Sequence, residues 1–245
     1  TIDMLNSMQI PYSIINKEFS NSETENLIIK ACSESFKNKN PYVILVEENT
    51  FEKYVDFKLI SSNDFISREE ALETCIKSIP DNSIIISTTG KLSRELYELR
   101  EIKKLSHSND FLTVGGMGHA NQIALGIAIN KPHKIVYCFD GDGALLMHMG
   151  TMALNGHLKL SNFKHILFNN RTHESVGGQN TSAPETDFTN LSKVLGYKYF
   201  KKVSKKIEIE KSIKTLSLNK NISFLEILIN NKSRKELTRP KTTPK

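Results

Sequence analysis

The stretch from Lys134 to Gly143, KIVYCFDGDG, decides the fold. Lys134 to Phe139 is a short apolar run rich in β-formers, the pattern of a strand buried on both faces. It passes directly into Gly141-Asp142-Gly143 and then into a sequence with helical spacing. Two glycines let the backbone approach a ligand closely, and a helix start offers free N–H groups to an anion. Asp142 would repel a bare phosphate there. It makes sense beside a divalent cation, because Mg²⁺ takes one or two carboxylate or amide oxygens together with phosphate oxygens. Taken alone, Gly-Asp-Gly is also an ordinary turn.

Working outward, the same alternation recurs. On the carboxyl side, a helix from Leu145 to Leu160 leads to a strand from His165 to Phe168, followed by helices Asp187 to Leu195 and Ile207 to Leu216 and a strand from Ile222 to Ile229. On the amino side lie a helix capped by Ser67 with Glu69 and Glu70 in its first turn, a strand from Ser83 to Ser87, and helices Leu92 to Glu101 and Ala120 to Ile129. Alternating strands and helices predict an α/β fold, a three-layer, doubly wound, mostly parallel sheet covered on both faces. Asn49 to Phe65 is polar and turn-rich and reads as a linker. Before it, strand Tyr12 to Ile15, helix Glu23 to Phe36 and strand Tyr42 to Val46 form the end of a second α/β domain.

Composition removes several function classes. In 245 residues with 24% charged side chains, no apolar run approaches the roughly 20 residues of a membrane span. The net charge of +6 comes largely from late lysines interleaved with acids, and there is no Trp and no aromatic stripe for stacking bases. That reads as a solvated surface, with neither nucleic acid nor membrane as partner. Cys32, Cys75 and Cys138 are dispersed without CxxC spacing, which places the chain in a reducing cytoplasm, with Cys138 as small core filling.

Parallel sheets bind ligands at the carboxyl ends of their strands. Beyond Gly143 and twenty-five intervening residues, at the end of the next strand, stand Asn169 and Asn170. An adjacent crossover brings these amides beside Asp142, and an amide oxygen is a neutral hard ligand that suits Mg²⁺. Thr88, Thr89 and Gly90 end another strand at the same edge, where they bind diphosphate or simply cap a helix. Met117, between Gly116 and Gly118, is ordinary core on composition alone.

Gly141-Asp142-Gly143 followed at this spacing by Asn169-Asn170 resembles the signature of thiamine-diphosphate (ThDP) enzymes. TTGK with SREL (88–96), GMGHA (116–120), GDGALLMHMG (141–150), HESVGGQ (173–179) and RKELTRP (234–240) are similar to the phosphonopyruvate decarboxylases among the ThDP-dependent 2-oxo-acid decarboxylases. The resemblance runs from about Ile10 to Pro244. It implies Mg²⁺ held by Asp142, Asn170 and the Thr172 carbonyl, with Asn169 as the alternative amide. It also implies a cofactor cradle of Thr88, Thr89, Gly90, Gly116, Met117, Gly118, His119, Gly141, Asp142, Gly143, Ala144, Asn170 and Thr172. Met117 would wedge beneath ThDP and keep it bent. His173 is the candidate for substrate contact or proton transfer, ahead of His148 and His119. Arg94 either binds an anionic substrate or pairs with Glu95 or Glu98.

The implied activity is decarboxylation of 3-phosphonopyruvate to phosphonoacetaldehyde and CO₂, in phosphonate biosynthesis. Sulfopyruvate decarboxylation and an inactive ThDP/Mg²⁺-binding module are the alternatives; histidines at 148 and 173 favour the phosphonate enzyme. Residues 1–58 resemble the last third of a pyrimidine-binding domain and residues 59–245 the diphosphate-binding domain. The glutamate that activates ThDP has no match among Glu18, Glu23, Glu25, Glu34, Glu47, Glu48 and Glu52. A missing amino-terminal portion or a separate polypeptide is therefore expected, with a homo-oligomer or a complementary pyrimidine-binding chain completing the site. The sequence departs from the family at Arg171, Glu174 and Asn180, where Gly, Asp and Pro are usual. Arg171 must tolerate strain if that glycine has positive φ.

Overall fold

The computed structural model describes residues 1–52, 64–234 and 236–240. The chain divides into two compact units, Thr1–Phe57 and Lys58–Lys245. The division expected near residue 58, and most of the expected linker, lie outside the described residues.

In the first unit, helix α1 (Ile2–Ser7) precedes strand β1 (Tyr12–Ile15), helix α2 (Asn21–Asn38) and strand β2 (Val43–Val46). The two strands pair in parallel, Tyr12 opposite Val43. α2 starts on a capping box, in which Ser20 accepts from the Glu23 N–H and Glu23 accepts from the Ser20 N–H. Ile29, Phe36 and Val46 remain exposed on this small unit. So do Glu18, Glu23, Glu25, Glu47, Glu48 and Glu52, while Glu34 is half-buried near Lys30.

The second unit is built on six parallel strands in the order β4-β3-β5-β6-β8-β7: β3 (Ile84–Ser87), β4 (Asp110–Leu112), β5 (Val136–Gly141), β6 (Phe163–Asn169), β7 (Tyr199–Val203) and β8 (Ser223–Leu228). The period-2 alternation of strand side chains sorts the core onto two faces. Ile85, Tyr137, Phe139, Ile166, Phe168, Leu225 and Ile227 meet helices α3 (Arg68–Ser78), α4 (Lys91–Ile102) and α9 (Lys206–Leu218). Ile86, Val136, Cys138, Phe163, Leu167 and Phe224 meet α5 (Ala120–Asn130), α6 (Asp142–Met147), α7 (Thr151–Leu158) and α8 (Phe188–Val194). The three-layer parallel sheet is therefore as expected, and Cys138 is core, its thiol pushed well up by burial. Among the described residues no helix is long and apolar enough to cross a membrane.

Three local expectations change. The helix anticipated from Leu145 to Leu160 is two helices, because the chain leaves helical geometry at His148, whose carbonyl accepts from Thr151 N–H and hydroxyl at the start of α7. β4 and β7 were absent from the sequence reading. Both are edge strands, short or lysine-bearing, whose hydrophobic alternation is weak.

Below β5 and β6 the apolar layer carries a buried polar chain. Asp140 accepts from the Gly141 N–H and lies 3.3 Å from His165, which in turn lies 3.4 Å from the Tyr197 hydroxyl, itself bonded by Asn155. Lys164, also on β6, is an exception to the expectation of solvated lysines. It is 1% exposed, and its ammonium donates to the carbonyls of Ser161, Asn219 and Asn221, without a carboxylate partner among the described residues. Burial pushes its pKa down to about 8 from 10.5. The folded state thus releases this proton before the unfolded chain does, and between about pH 8 and 10.5 stability rises with pH. Urea unfolding of wild type and Lys164→Met should show wild type gaining on the variant across that window, by on the order of 3 kcal/mol; a difference independent of pH would contradict the shift.

Candidate functional site

Because β3, β5 and β6 are neighbours and parallel, their carboxyl ends open on one edge. Gly141 pairs with Phe168 in the β5–β6 register, so Asp142 and Asn169 leave their strands side by side. A small cleft of about 80 Å³ lies there. Thr88, Thr89, Met117, Gly141, Asp142, Gly143, Ala144, Asn170, Thr172 and His173 all line it. Gly90, Gly116, Gly118 and His119 do not. Gly90 sits at the rim, with φ of +105° and the Ser175 hydroxyl 3.1 Å from where a Cβ would stand. Gly118 is packed behind, where a Cβ would meet the Ala144 carbonyl at 2.7 Å and the His148 ring. His119 is exposed and tilts against His148, 4.4 Å between ring centres. Gly116 and Gly118 have positive φ, and this double turn presents Met117 to the cleft.

Asp142 is 2% exposed. The Thr181 hydroxyl donates to it at 2.6 Å, and no lysine or arginine is paired with it among the described residues. Burial raises its pKa, against the opposing pull of Thr181, the main-chain N–H groups of Asp142 and Asn170, and His173. A buried carboxylate with donors but no countercharge is the arrangement a bound cation completes.

The two asparagines form consecutive side-chain turns. Asn169 Oδ1 accepts from Arg171 N–H and its Nδ2 donates to buried Glu226; Asn170 Oδ1 accepts from Thr172 N–H and its Nδ2 donates to Glu174. Only Asn170 lines the cleft. The hydroxyls of Thr88 and Thr172 are buried with no partner among the described residues, a cost that a polar ligand in the cleft would remove. Oxygen donors of the hard class, buried and under-coordinated, fit a Mg²⁺–diphosphate group.

The strain expected at Arg171 is present, with φ of +64°. Its guanidinium lies 5.1 Å from the centre of the Phe65 ring, a cation–π contact that offsets part of a cost of about 1–3 kcal/mol. The chain then doubles back. Thr172 bridges Asn180, His173 N–H donates to Gln179 O at 2.7 Å, and Gly177 and Gly178, both at positive φ, close the turn.

Sequence reasoning missed the charged wall of the cleft. Arg68, 6% exposed, makes a two-pronged pair with Glu95 at 2.7 and 2.8 Å and donates to Glu174 at 2.8 Å; Lys91 donates to Glu174 at 3.0 Å and to Ser233 at 2.8 Å. One signal was available, since an arginine in the first turn of a helix opposes the helix dipole and calls for acidic partners. Arg94 takes neither Glu95 nor Glu98 as ion-pair partner, because these acids are committed to Arg68 and Arg234.

A six-stranded parallel sheet with acid, amides and hydroxyls gathered at one strand-end cleft defines a cofactor-binding α/β domain. The family described as thiamine pyrophosphate enzyme, C-terminal TPP binding domain, matches residues 88–227, and the chain belongs to that family. It is 32% identical over 178 residues to a phosphonopyruvate decarboxylase of Streptomyces viridochromogenes, covering 73% of this chain and 43% of that protein. It is 29% identical over 127 residues to the sulfopyruvate decarboxylase subunit beta of Methanocaldococcus jannaschii, covering 52% and 63% respectively. Less than two thirds of either relative is thus spanned. The crystal structure of benzoylformate decarboxylase from Polynucleobacter necessarius shares the fold, with a TM-score of 0.57 at 15% identity over 78% of this chain and 36% of that one.

A Cβ added to Gly143 would stand 2.6 Å from His173 Nδ1 and 2.7 Å from its Cε1. Gly143→Ala should displace the partly exposed His173 ring with little change in stability, since the ring can swing aside and alanine favours the helix. Thermal unfolding and the His173 imidazole NMR shifts check this; an unmoved ring would show that the glycine is not needed for the contact.

Proposed function

We propose that this chain is the diphosphate- and Mg²⁺-binding part of a ThDP-dependent decarboxylase of 2-oxo acids, with 3-phosphonopyruvate as substrate and phosphonoacetaldehyde and CO₂ as products. The observation that carries the reading is Asp142, a buried carboxylate without a countercation, facing Asn170 and Thr172 across the β5–β6 strand ends. In it, the Asp142 carboxylate, the Asn170 amide oxygen and the Thr172 carbonyl hold Mg²⁺. Thr88, Thr89 and Gly90 receive the diphosphate, and Met117 supports the cofactor from the opposite loop. ThDP, when bound, supplies the carbanion chemistry and the electron sink for CO₂ loss. His173, beside Asp142 and lining the same cleft, exchanges a proton with the substrate.

The choice of phosphonopyruvate is supported by the Streptomyces relative and by the placement of His173; His148 does not line the cleft. Sulfopyruvate is the second reading, favoured by the Methanocaldococcus relative. That relative is a subunit beta, which supports a complementary or neighbouring chain as the source of the activating glutamate. Support also comes from the exposed apolar residues of the first unit, where a parallel strand pair would ordinarily be covered on both faces.

CO₂ release by the chain combined with a pyrimidine-binding partner separates the substrates, and turnover of sulfopyruvate but not phosphonopyruvate reverses the preference. Asp142→Ala should weaken Mg²⁺-dependent ThDP binding by ~100-fold or more, while leaving the metal-free stability unchanged or higher, because an unpaired buried charge is gone. Calorimetry and urea unfolding read the two effects, and retained binding removes Asp142 from the ligand set.

A further inference from the structure

An asparagine amide has two ends of nearly equal size, and only one of them can hold a cation. Its oxygen attracts a metal; its NH₂ repels one. A site that uses Asn170 therefore depends on whatever decides which end faces Asp142. The Thr172 N–H sees Oδ1 at 3.1 Å, but it lies on the same turn. The second contact comes from outside that turn: Nδ2 points at Glu174 Oε2 at 3.3 Å.

An ionised carboxylate is an acceptor only, so it selects the NH₂ end. Glu174 is in turn held by two cations from two helices, Arg68 of α3 at 2.8 Å and Lys91 of α4 at 3.0 Å. Arg68 cannot swing away, because its Nε and Nη2 are fixed on buried Glu95. Lys91 is steadied by the Ser233 hydroxyl. Asn169, the neighbour, has an equivalent anchor in buried Glu226, yet it does not line the cleft.

We infer that Glu174 is the positioning residue of the metal site: clamped by Arg68 and Lys91, it locks the Asn170 amide with its oxygen toward the cation. This rests on the proposed Mg²⁺–ThDP reading and adds a residue to it.

Glu174→Gln is nearly isosteric but brings an NH₂ of its own. It has one oxygen for two positions: with that oxygen at Oε2, which Arg68 and Asn170 share, the new NH₂ faces Lys91, and with it at Oε1 the NH₂ faces Arg68 and Asn170, so the charged clamp that fixes the Asn170 amide is lost in either pose. Arg68 keeps its two bonds to Glu95, so folding should survive. Calorimetric titration of the full chain with ThDP at saturating Mg²⁺ should show affinity falling about 10- to 100-fold in Glu174→Gln. Glu174→Asp should recover most of it. Glu98→Gln, which changes a carboxylate of the same helix α4 that binds Arg234 and Thr238, should bind like wild type.

A second measurement separates orientation from stability. The Asn170 side-chain NH₂ resonances should shift in Glu174→Gln without metal, and melting of the metal-free protein should change little. Lowered melting with unchanged ThDP affinity would make Glu174 merely structural and overturn the inference. Wild type that binds ThDP with Mg²⁺, beside a Glu174→Gln variant within threefold of it, overturns the inference alone; wild type that fails to bind even when combined with a pyrimidine-binding partner overturns the cofactor reading with it.

Discussion

The site hangs on the pairing of β5 with β6. Six register pairs, from Val136–Phe163 to Gly141–Phe168, bring two strand ends to the same height. Each end then turns polar. If the register slipped by one residue, Asp142 and Asn170 would separate and the alternation that buries Phe139 on one face and Cys138 on the other would invert. The hydrophobic demand of two covered faces therefore fixes the geometry of a polar cleft.

That cleft concentrates costs that the surrounding core sustains. Asp142 is buried without a countercharge, Arg171 is held at positive φ, and the Thr88 and Thr172 hydroxyls lack partners. Each is unfavourable in the isolated chain. The carboxylate and the two hydroxyls lie around one cavity at one sheet edge, where in the proposed reading a hard cation with an anionic oxygen group would satisfy them at the same time. The buried, largely apolar strands Ile84–Ser87 and Val136–Gly141 supply the rigidity that keeps them there.

The charged wall adds a second level of order. Arg68, Glu95, Glu174 and Lys91 come from two helices and a loop, and their charges cancel within a few ångströms. Such a set contributes little net stability once desolvation is counted, but it restricts the side chains it contains. Beneath the sheet edge, Asp140 and His165 restrict the Gly141 peptide in a similar way.

The amino-acid sequence by itself determined the layered α/β fold and the Asp142–Asn170 pairing. Strand hydrophobicity, turn residues and the spacing between two strand ends are local signals, and a parallel sheet translates them directly into proximity. It also announced the strain at Arg171. It did not reveal edge strands β4 and β7, whose residues are too polar to alternate clearly, nor the break at His148 between α6 and α7. Tertiary structure alone decided that Arg68 and Lys91 converge on Glu174, because residues separated by 106 and 83 positions meet only after α3 and α4 have packed on the sheet. It likewise placed His173 against Gly143 and left His119 and His148 outside the cleft lining. Spacing along the chain specifies which strand end a residue occupies; only packing specifies which way its side chain faces and what holds it there.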